Sequence, residues 1–278
     1  MTSSWGTGGA SSLVAETGKY VPTAVSVQEF AQQEDSNSMY RPYMEDTFCA
    51  EDNFAGDGTC GVFGVFDGHG GKTVSEYIKD RIPEELKKSI MVGSPTDLTQ
   101  TLEDVFLKVD GELRLMDSEN TGSTAALAVI RMESGHRIVY FANCGDTRAV
   151  ISRNGVSERM TVDHKCNDPM EVERIKSEGG VVIDERVGGT LAVARAFGDY
   201  SLKNEGVTAS PYVRKHFLRP FDKHLIIATD GVWDVLSDQQ AVDLCKEDMT
   251  TQEMAKAIVQ NAMELGSRDN ICAVVLKF

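Results

Sequence analysis

Two apolar runs in this chain of 278 residues end in the same dipeptide. Gly64-Val65-Phe66 passes into Asp67-Gly68-His69-Gly70-Gly71, and Leu225-Ile226-Ile227-Ala228-Thr229 passes into Asp230-Gly231-Val232-Trp233-Asp234. A short β-branched or aromatic run bounded by turn residues reads as a strand, so each delivers a carboxylate at a sheet edge. The glycine after each acid removes a side chain, which lets a ligand approach the backbone and leaves the Gly68 carbonyl available as an oxygen donor. Asp-Gly is also a common tight-turn pair, and one instance alone would signify no more than a turn. Here further acids join the set: Glu45-Asp46 precede Thr47-Phe48, Asp146 sits in a hairpin turn, and Asp269 stands just before the last strand. Where those strands are neighbours, like-charge repulsion forbids the gathering unless cations hold it together. An all-oxygen donor set with no Cys and little His selects Mg²⁺ or Mn²⁺ over zinc or copper.

Strand signals fall at 60–66, 124–130, 137–142, 148–152, 224–229 and 271–277. Between them Leu98, Leu102, Val105, Phe106, Val109, Leu113 and Met116 form one helical stripe. Ser237 with Gln240 and Thr250 with Glu253 are capping-box pairs that open two more helices, the second stopping at Gly266. Residues 72–91 also read as helix, with a kink or restart at Pro83. Hairpin-length strand spacings and helices inserted in blocks argue against regular βαβ alternation. The expected class is α+β with mainly antiparallel sheet. Residues 1–20 are expected to be loosely ordered, 21–278 to form one domain, and the polar stretch 163–189, with a short helical pattern ending at Gly179-Gly180, to form a surface flap.

With 28 Lys plus Arg against 43 Asp plus Glu, the formal net charge is −15. Nucleic acid is gripped by clustered cations, so neither nucleic acid nor an anionic membrane surface is an expected partner. No apolar run approaches the ~20 residues of a membrane-spanning helix. The six cysteines contain no C-x-x-C pair and residues 1–12 lack the pattern of a secretion signal. A cytoplasmic or nuclear monomer is the expectation.

The chain resembles the metal-dependent Ser/Thr protein phosphatases of type 2C. The motifs that carry the likeness run in the family's order: Arg41-Pro42-Tyr43-Met44-Glu45-Asp46, Val65-Phe66-Asp67-Gly68-His69-Gly70-Gly71, Gly122-Ser123-Thr124-Ala125, Asn143-Cys144-Gly145-Asp146-Thr147-Arg148, Asp163-His164-Lys165, Leu191 to Asp199, Asp230 to Asp234, and Arg268-Asp269-Asn270. The resemblance implies a four-layer α/β/β/α sandwich: two central, mainly antiparallel sheets with helices outside, a flap subdomain, and a binuclear metal centre at one end. By the same likeness Asp67 would bridge two Mg²⁺ or Mn²⁺ ions, Asp230 and Asp269 would complete one, and Glu45 with the Gly68 carbonyl would bind the other. Asp46 would hold metal-bound water, and Asp146 and Asp234 resemble positions of a third, weaker site. Cys166, Gly188-Gly189 and Ala194 depart from residues common in the family, and these touch the flap.

The implied reaction is hydrolysis of phosphoserine or phosphothreonine in phosphoprotein substrates by direct attack of a water shared between two ions. Arg41 would offer a planar, permanently charged fork to the phosphate; its plain alternative is an ion pair with Glu45 or Asp46. His69 would protonate the departing oxygen, its alternative being a hydrogen-bonded structural histidine. His164 reads as structural, and Thr124 as either a strand opener or a hydroxyl near the metals. Gly70-Gly71-Lys72-Thr73 matches only the end of a phosphate-binding loop, since Phe66 stands where a glycine is needed. The remaining rival is a noncatalytic phosphatase-like binding module, which would be expected to lose the metal acids; Glu45, Asp67, Asp230 and Asp269 are all present.

Overall fold

The computed structural model describes residues 26–93, 95–116 and 118–278; the expectation of a loosely ordered segment over 1–20 lies outside them. One five-stranded sheet carries, in spatial order, β1 (Glu29–Asp35), β15 (Ile271–Lys277), β14 (Asp222–Ala228), β8 (Arg148–Arg153) and β9 (Val156–Arg159). The other carries β13 (Tyr212–Phe217), β7 (His136–Cys144), β6 (Ala125–Glu133), β3 (Gly61–Phe66) and β2 (Thr47–Asp52). Every neighbouring pair in both sheets is antiparallel.

Side chains alternate across a strand, and β14 shows what that alternation builds. Leu225 and Ile227 face Phe63, Val65 and Phe141 of the second sheet, and with Ile151 and Val274 of their own sheet they complete a core between the sheets. Ile226 and Ala228 face outward and meet α6 (Thr251–Glu264) through Met254, Ile258 and Val259. On the far side, α1 (Thr73–Gly93) and α2 (Thr99–Leu113) cover the outward residues Val62 and Phe66 of β3. The result is the expected helix, sheet, sheet, helix stack. Shorter helices α4 (Asp230–Trp233) and α5 (Asp238–Asp243) lie on the α6 side.

Local signals explain the helix ends. Thr250 accepts the Glu253 N–H at 3.3 Å while the Thr250 N–H donates to Glu253 Oε2 at 2.8 Å. Ser237 and Gln240 make the same reciprocal pair at α5. Pro83 does not restart α1, which runs through it unbroken. Ile78, Ile82 and Leu86, spaced by four, are fully buried on one stripe across the proline. Burying three such chains at ~1.5–3 kcal/mol each outweighs the ~3 kcal/mol cost of an interior proline.

Two small sheets place the site. β12 (Phe197–Gly198), β5 (Gly122–Ser123) and β4 (Gly68–His69) form one at the mouth of the sandwich, and β10 (Val182–Ile183) and β11 (Arg186–Val187) form a hairpin. That hairpin, with α3 (Pro169–Ser177), makes up the flap. Its own apolar cluster of Cys166, Ile175, Val187, Val193, Ala196 and Val207 extends well past the expected boundary at residue 189. Among the described residues no helix is long and apolar enough to cross a membrane.

Candidate functional site

The glycines after the two strand-end acids turn out to serve the protein's own backbone. A Cβ on Gly68 would stand 2.5 Å from the Glu45 carbonyl oxygen and 2.6 Å from Ser75 Oγ. A Cβ on Gly231 would stand 2.0 Å from the carbonyl oxygen of Asn270, next to Asp269. Both distances are far below van der Waals contact. Each Asp-Gly pair therefore allows a second acid-bearing segment to close on the first: Glu45 on Asp67, and Asp269 on Asp230. The Asn270 side chain locks this arrangement. It donates to the carbonyls of Ser36 (2.8 Å) and Tyr43 (3.0 Å) and accepts the Glu45 N–H at 2.9 Å, which fixes the loop that carries Arg41 and Glu45.

The outcome is a cavity of about 410 Å³ whose lining includes Glu45, Asp67, Gly68, Asp146, Asp230 and Asp269, together with Arg41 and His69. Asp46 is buried just behind it and opens instead onto a recess with Glu34, Lys72 and Glu76. Asp234 lies outside the cavity and is largely exposed. The acids repel one another. Burial, then the charge of Asp230, Asp46, Asp146 and Asp269, pushes the Asp67 carboxyl well above the ordinary carboxylate range. Burial is also the main cause for Asp46, which is raised well above that range, and for Asp230, which is raised to about 7.

One lysine answers part of this charge. Lys165 Nζ stands 3.2 Å from Asp146 Oδ2 and 3.4 Å from Asp234 Oδ1. Despite its partial burial these acids raise its pKa to about 12. Asp146 and Asp234 thus already share a cation, whereas among the described residues Asp46 and Asp67 form no ion pair, although Lys72 and Lys79 line the recess beside Asp46; Asp46 Oδ2 is buried with no hydrogen-bond partner. Among the described residues no trio of His, Cys, Asp or Glu side chains is closed into ligating geometry. The orphaned oxygen, the raised acids and the all-oxygen donor set fit hard divalent ions.

Arg41 reaches across the mouth to Asp269, Nη2 to Oδ2 at 2.5 Å, with both side chains partly exposed. Its ion-pair partner is thus Asp269 instead of Glu45 or Asp46. His69 Nε2 lies 2.7 Å from Asp199 Oδ2. Thr124 lines the cavity, its N–H donating to the Asp67 carbonyl at 2.9 Å, and its hydroxyl is shared with Thr147 Oγ1 at 2.5 Å. His164 is buried away from the cavity. Its Nδ1 accepts the Gly145 N–H at 3.2 Å, and burial lowers its pKa to about 4, in keeping with the structural role read from the sequence. All six cysteines are free, and burial raises the Cys166 thiol, so it is a quiet one.

The geometry has its counterpart in known proteins. Residues 31–271 match the family described as Protein phosphatase 2C. The chain belongs to that family. It is 37% identical over 256 residues to "Protein phosphatase 2C homolog 1" of Saccharomyces cerevisiae, covering 87% of this chain and 91% of the relative. It is 39% identical over 254 residues to "Probable protein phosphatase 2C 69" of Arabidopsis thaliana, covering 87% and 68%. Among solved structures, a serine-threonine phosphatase 2C from Toxoplasma gondii superposes with a TM-score of 0.75 at 27% identity, covering 92% of this chain and 96% of that one. A C. elegans sex-determining protein gives 0.81 at 24% identity, covering 89% and 64%, which shows the shared fold.

Three residues of this phosphatase 2C site carried no role in the sequence reading: Asp199, Lys165 and Asn270. Asp199 follows Phe197-Gly198, an apolar residue and glycine running into an acid, and so had a signal related to that of Asp67. Lys165 and Asn270 had none, because a lysine in a polar loop and an asparagine after an acid look the same wherever they point.

Proposed function

We propose that this phosphatase 2C hydrolyses phosphoserine and phosphothreonine in phosphoprotein substrates with the help of two Mg²⁺ or Mn²⁺ ions. The observation that carries the reading is the cavity lined by six acids, Glu45, Asp67, Asp146, Asp199, Asp230 and Asp269, together with the guanidinium groups of Arg41 and Arg186 and the His69 imidazole. Asp67, Asp230 and Asp269 would hold one ion, and Asp67, Glu45 and the Gly68 carbonyl the other, with Asp46 behind them. When bound, such ions supply a water of lowered pKa as the nucleophile.

The chain's own residues do the rest. Arg41 sits at the mouth, partly exposed and held by a single acid, so its remaining donors are free to take two oxygens of a phosphate monoester in a planar fork. That grip orients phosphorus toward the acid wall. His69, at the end of β4, protonates the departing serine or threonine oxygen, which as an alkoxide would be a poor leaving group. Leu191, Val193 and Leu202 add apolar surface to the cavity lining, which suits a peptide chain better than a small polar ester. Lys165 sits between Asp146 and Asp234 and offsets one of their two charges, while burial still raises the Asp146 carboxyl.

The test is phosphopeptide hydrolysis after chelation, then with Mg²⁺ or Mn²⁺ restored, in the wild type and in Asp230→Asn. Turnover should return with the metal in the wild type and stay roughly 10²–10³-fold lower in the variant. No metal-dependent turnover in the wild type would favour the noncatalytic binding module.

A further inference from the structure

We propose that Asp199 is the positioning residue for the His69 proton donor, and that Asp110 and Lys203 hold Asp199 in place from helix α2 and the turn after β12. The inference rests on the reading above that His69 donates the proton.

Asp199 has φ of +50°, a left-handed conformation uncommon for a residue with a side chain. The structure pins that turn on every side. The Asp199 N–H donates to the Thr121 carbonyl at 3.0 Å, and the next N–H, of Tyr200, to the Ser118 carbonyl at 3.0 Å. The preceding N–H, of Gly198, donates to Asp110 Oδ1 at 2.9 Å. Lys203 Nζ then donates to Asp110 Oδ2 at 2.8 Å and to the Ala196 carbonyl at 3.0 Å, and the Tyr200 hydroxyl donates to the Asp110 carbonyl. Asp110, nearly buried on α2, is in this way tied to both flanks of Asp199.

Gly122 of β5 leaves the space in which the pair meets. A Cβ there would lie 2.1 Å from Asp199 Oδ2 and 2.4 Å from His69 Nε2. Side chains at Asp199 and His69 are 5% and 30% exposed respectively, so the carboxylate is sequestered while the ring still reaches the cavity. With Nε2 committed to Asp199, Nδ1 is the ring nitrogen that has no partner among the described residues. The assigned step balances accordingly. A water oxygen bonds to phosphorus and gives up a proton to solvent as the P–O bond to serine or threonine breaks; the electron pair of the broken bond stays on the departing oxygen, which takes the proton from Nδ1, and the ring recovers a proton from solvent. Asp199 touches neither phosphorus nor the leaving group and acts only through the ring.

The experiment compares a phosphoserine peptide with an aryl phosphate, whose leaving group needs little protonation, in metal-loaded enzyme. His69→Ala, Asp199→Asn and Asp110→Asn are each measured for kcat, KM and thermal denaturation. Asparagine tolerates the left-handed turn, so Asp199→Asn removes the charge with the backbone kept. Asp199→Asn should lower kcat on the peptide by roughly 10–100-fold, the usual effect of losing an outer orienting partner, with KM near wild type and the aryl phosphate within about 3-fold. Asp110→Asn should show the same split with a smaller loss. Equal losses on both substrates for His69→Ala would refute the donor itself. A split for His69→Ala with equal losses, or none, for Asp199→Asn would overturn the positioning role alone. Should Asp199→Asn not fold, Asp110→Asn, which touches neither His69 nor the cavity, decides: a peptide-selective loss supports the proposal and an even loss on both substrates overturns it.

Discussion

Buried acids in two settings of this molecule have opposite electrostatics. In the flap, Glu171 is buried yet its carboxyl is lowered: burial alone would raise it, and the guanidinium groups of Arg195 and Arg174 more than reverse that. Arg195 approaches Glu171 Oε1 to 2.5 Å, and Arg174 approaches Oε2 to 2.8 Å. Asp238 is lowered in the same way by Arg159 and Arg148. In the cavity, Asp46, Asp67 and Asp230 are buried more deeply and have other acids for neighbours, and all three are raised. Burial by itself therefore does not mark a functional carboxylate. What sets the cavity apart is that its acids outnumber the cations fixed beside them, so the missing charge must come from something that binds.

The contrast can be broken at either end. Glu171→Ala should be the most damaging change to stability, costing about 3–5 kcal/mol because two arginines lose their buried partner. Urea denaturation of the metal-loaded protein measures it, and a cost below about 1 kcal/mol would mean the clamp is only surface decoration. Next in size, the metal-free protein should gain about 2.7 kcal/mol when Mg²⁺ or Mn²⁺ is added at 100 times its Kd. Asp67→Asn should lose most of that gain, while a wild type whose melting point ignores the ions would refute the cation-deficient character of the cavity.

The smallest effect concerns pH. His164 is held neutral, its pKa lowered to about 4 by burial first and by Arg195 next. The unfolded chain takes up this proton near pH 6.5 and the folded one only near 4, so the stability due to neutral His164 is present above 6.5 and lost as pH falls toward 4. Asp230, raised to about 7 in the metal-free protein, has the opposite trend, its repulsion growing as pH rises. Comparing wild type with His164→Asn cancels the cavity's contribution. Their stability difference should shrink by on the order of 1–3 kcal/mol between pH 6.5 and 4, and a constant difference would contradict the assignment.

Much of the fold was legible because its signals are local. The final strand, Ile271–Lys277, and both capping boxes coincide with their sequence patterns. β1, with the sequence EFAQQED, and β13, with YVRKHF, gave no strand reading. Both are edge strands with mostly half-buried side chains, so they lack the apolar run or alternation that a buried strand must show. The apolar cluster around Ile175 and Val187 was illegible for a related reason, since Val193, Ala196 and Val207 join it from segments that look like ordinary strand or loop.

The sequence by itself determined that acids stand at strand ends beside glycines and in the order of one phosphatase family, because strand periodicity and residue chemistry act over a few neighbours. Only the tertiary structure decided which of those acids keep a cation. Arg148, Arg159, Arg174 and Arg195 went to one set, Lys165 reached Asp146 and Asp234, and Asp46 and Asp67 form no ion pair among the described residues. It also decided that Asp199 meets His69 across 130 residues of chain. Coulomb and hydrogen-bond partners are chosen by distance in space, and spacing along the chain carries no record of that distance until the sheets have closed.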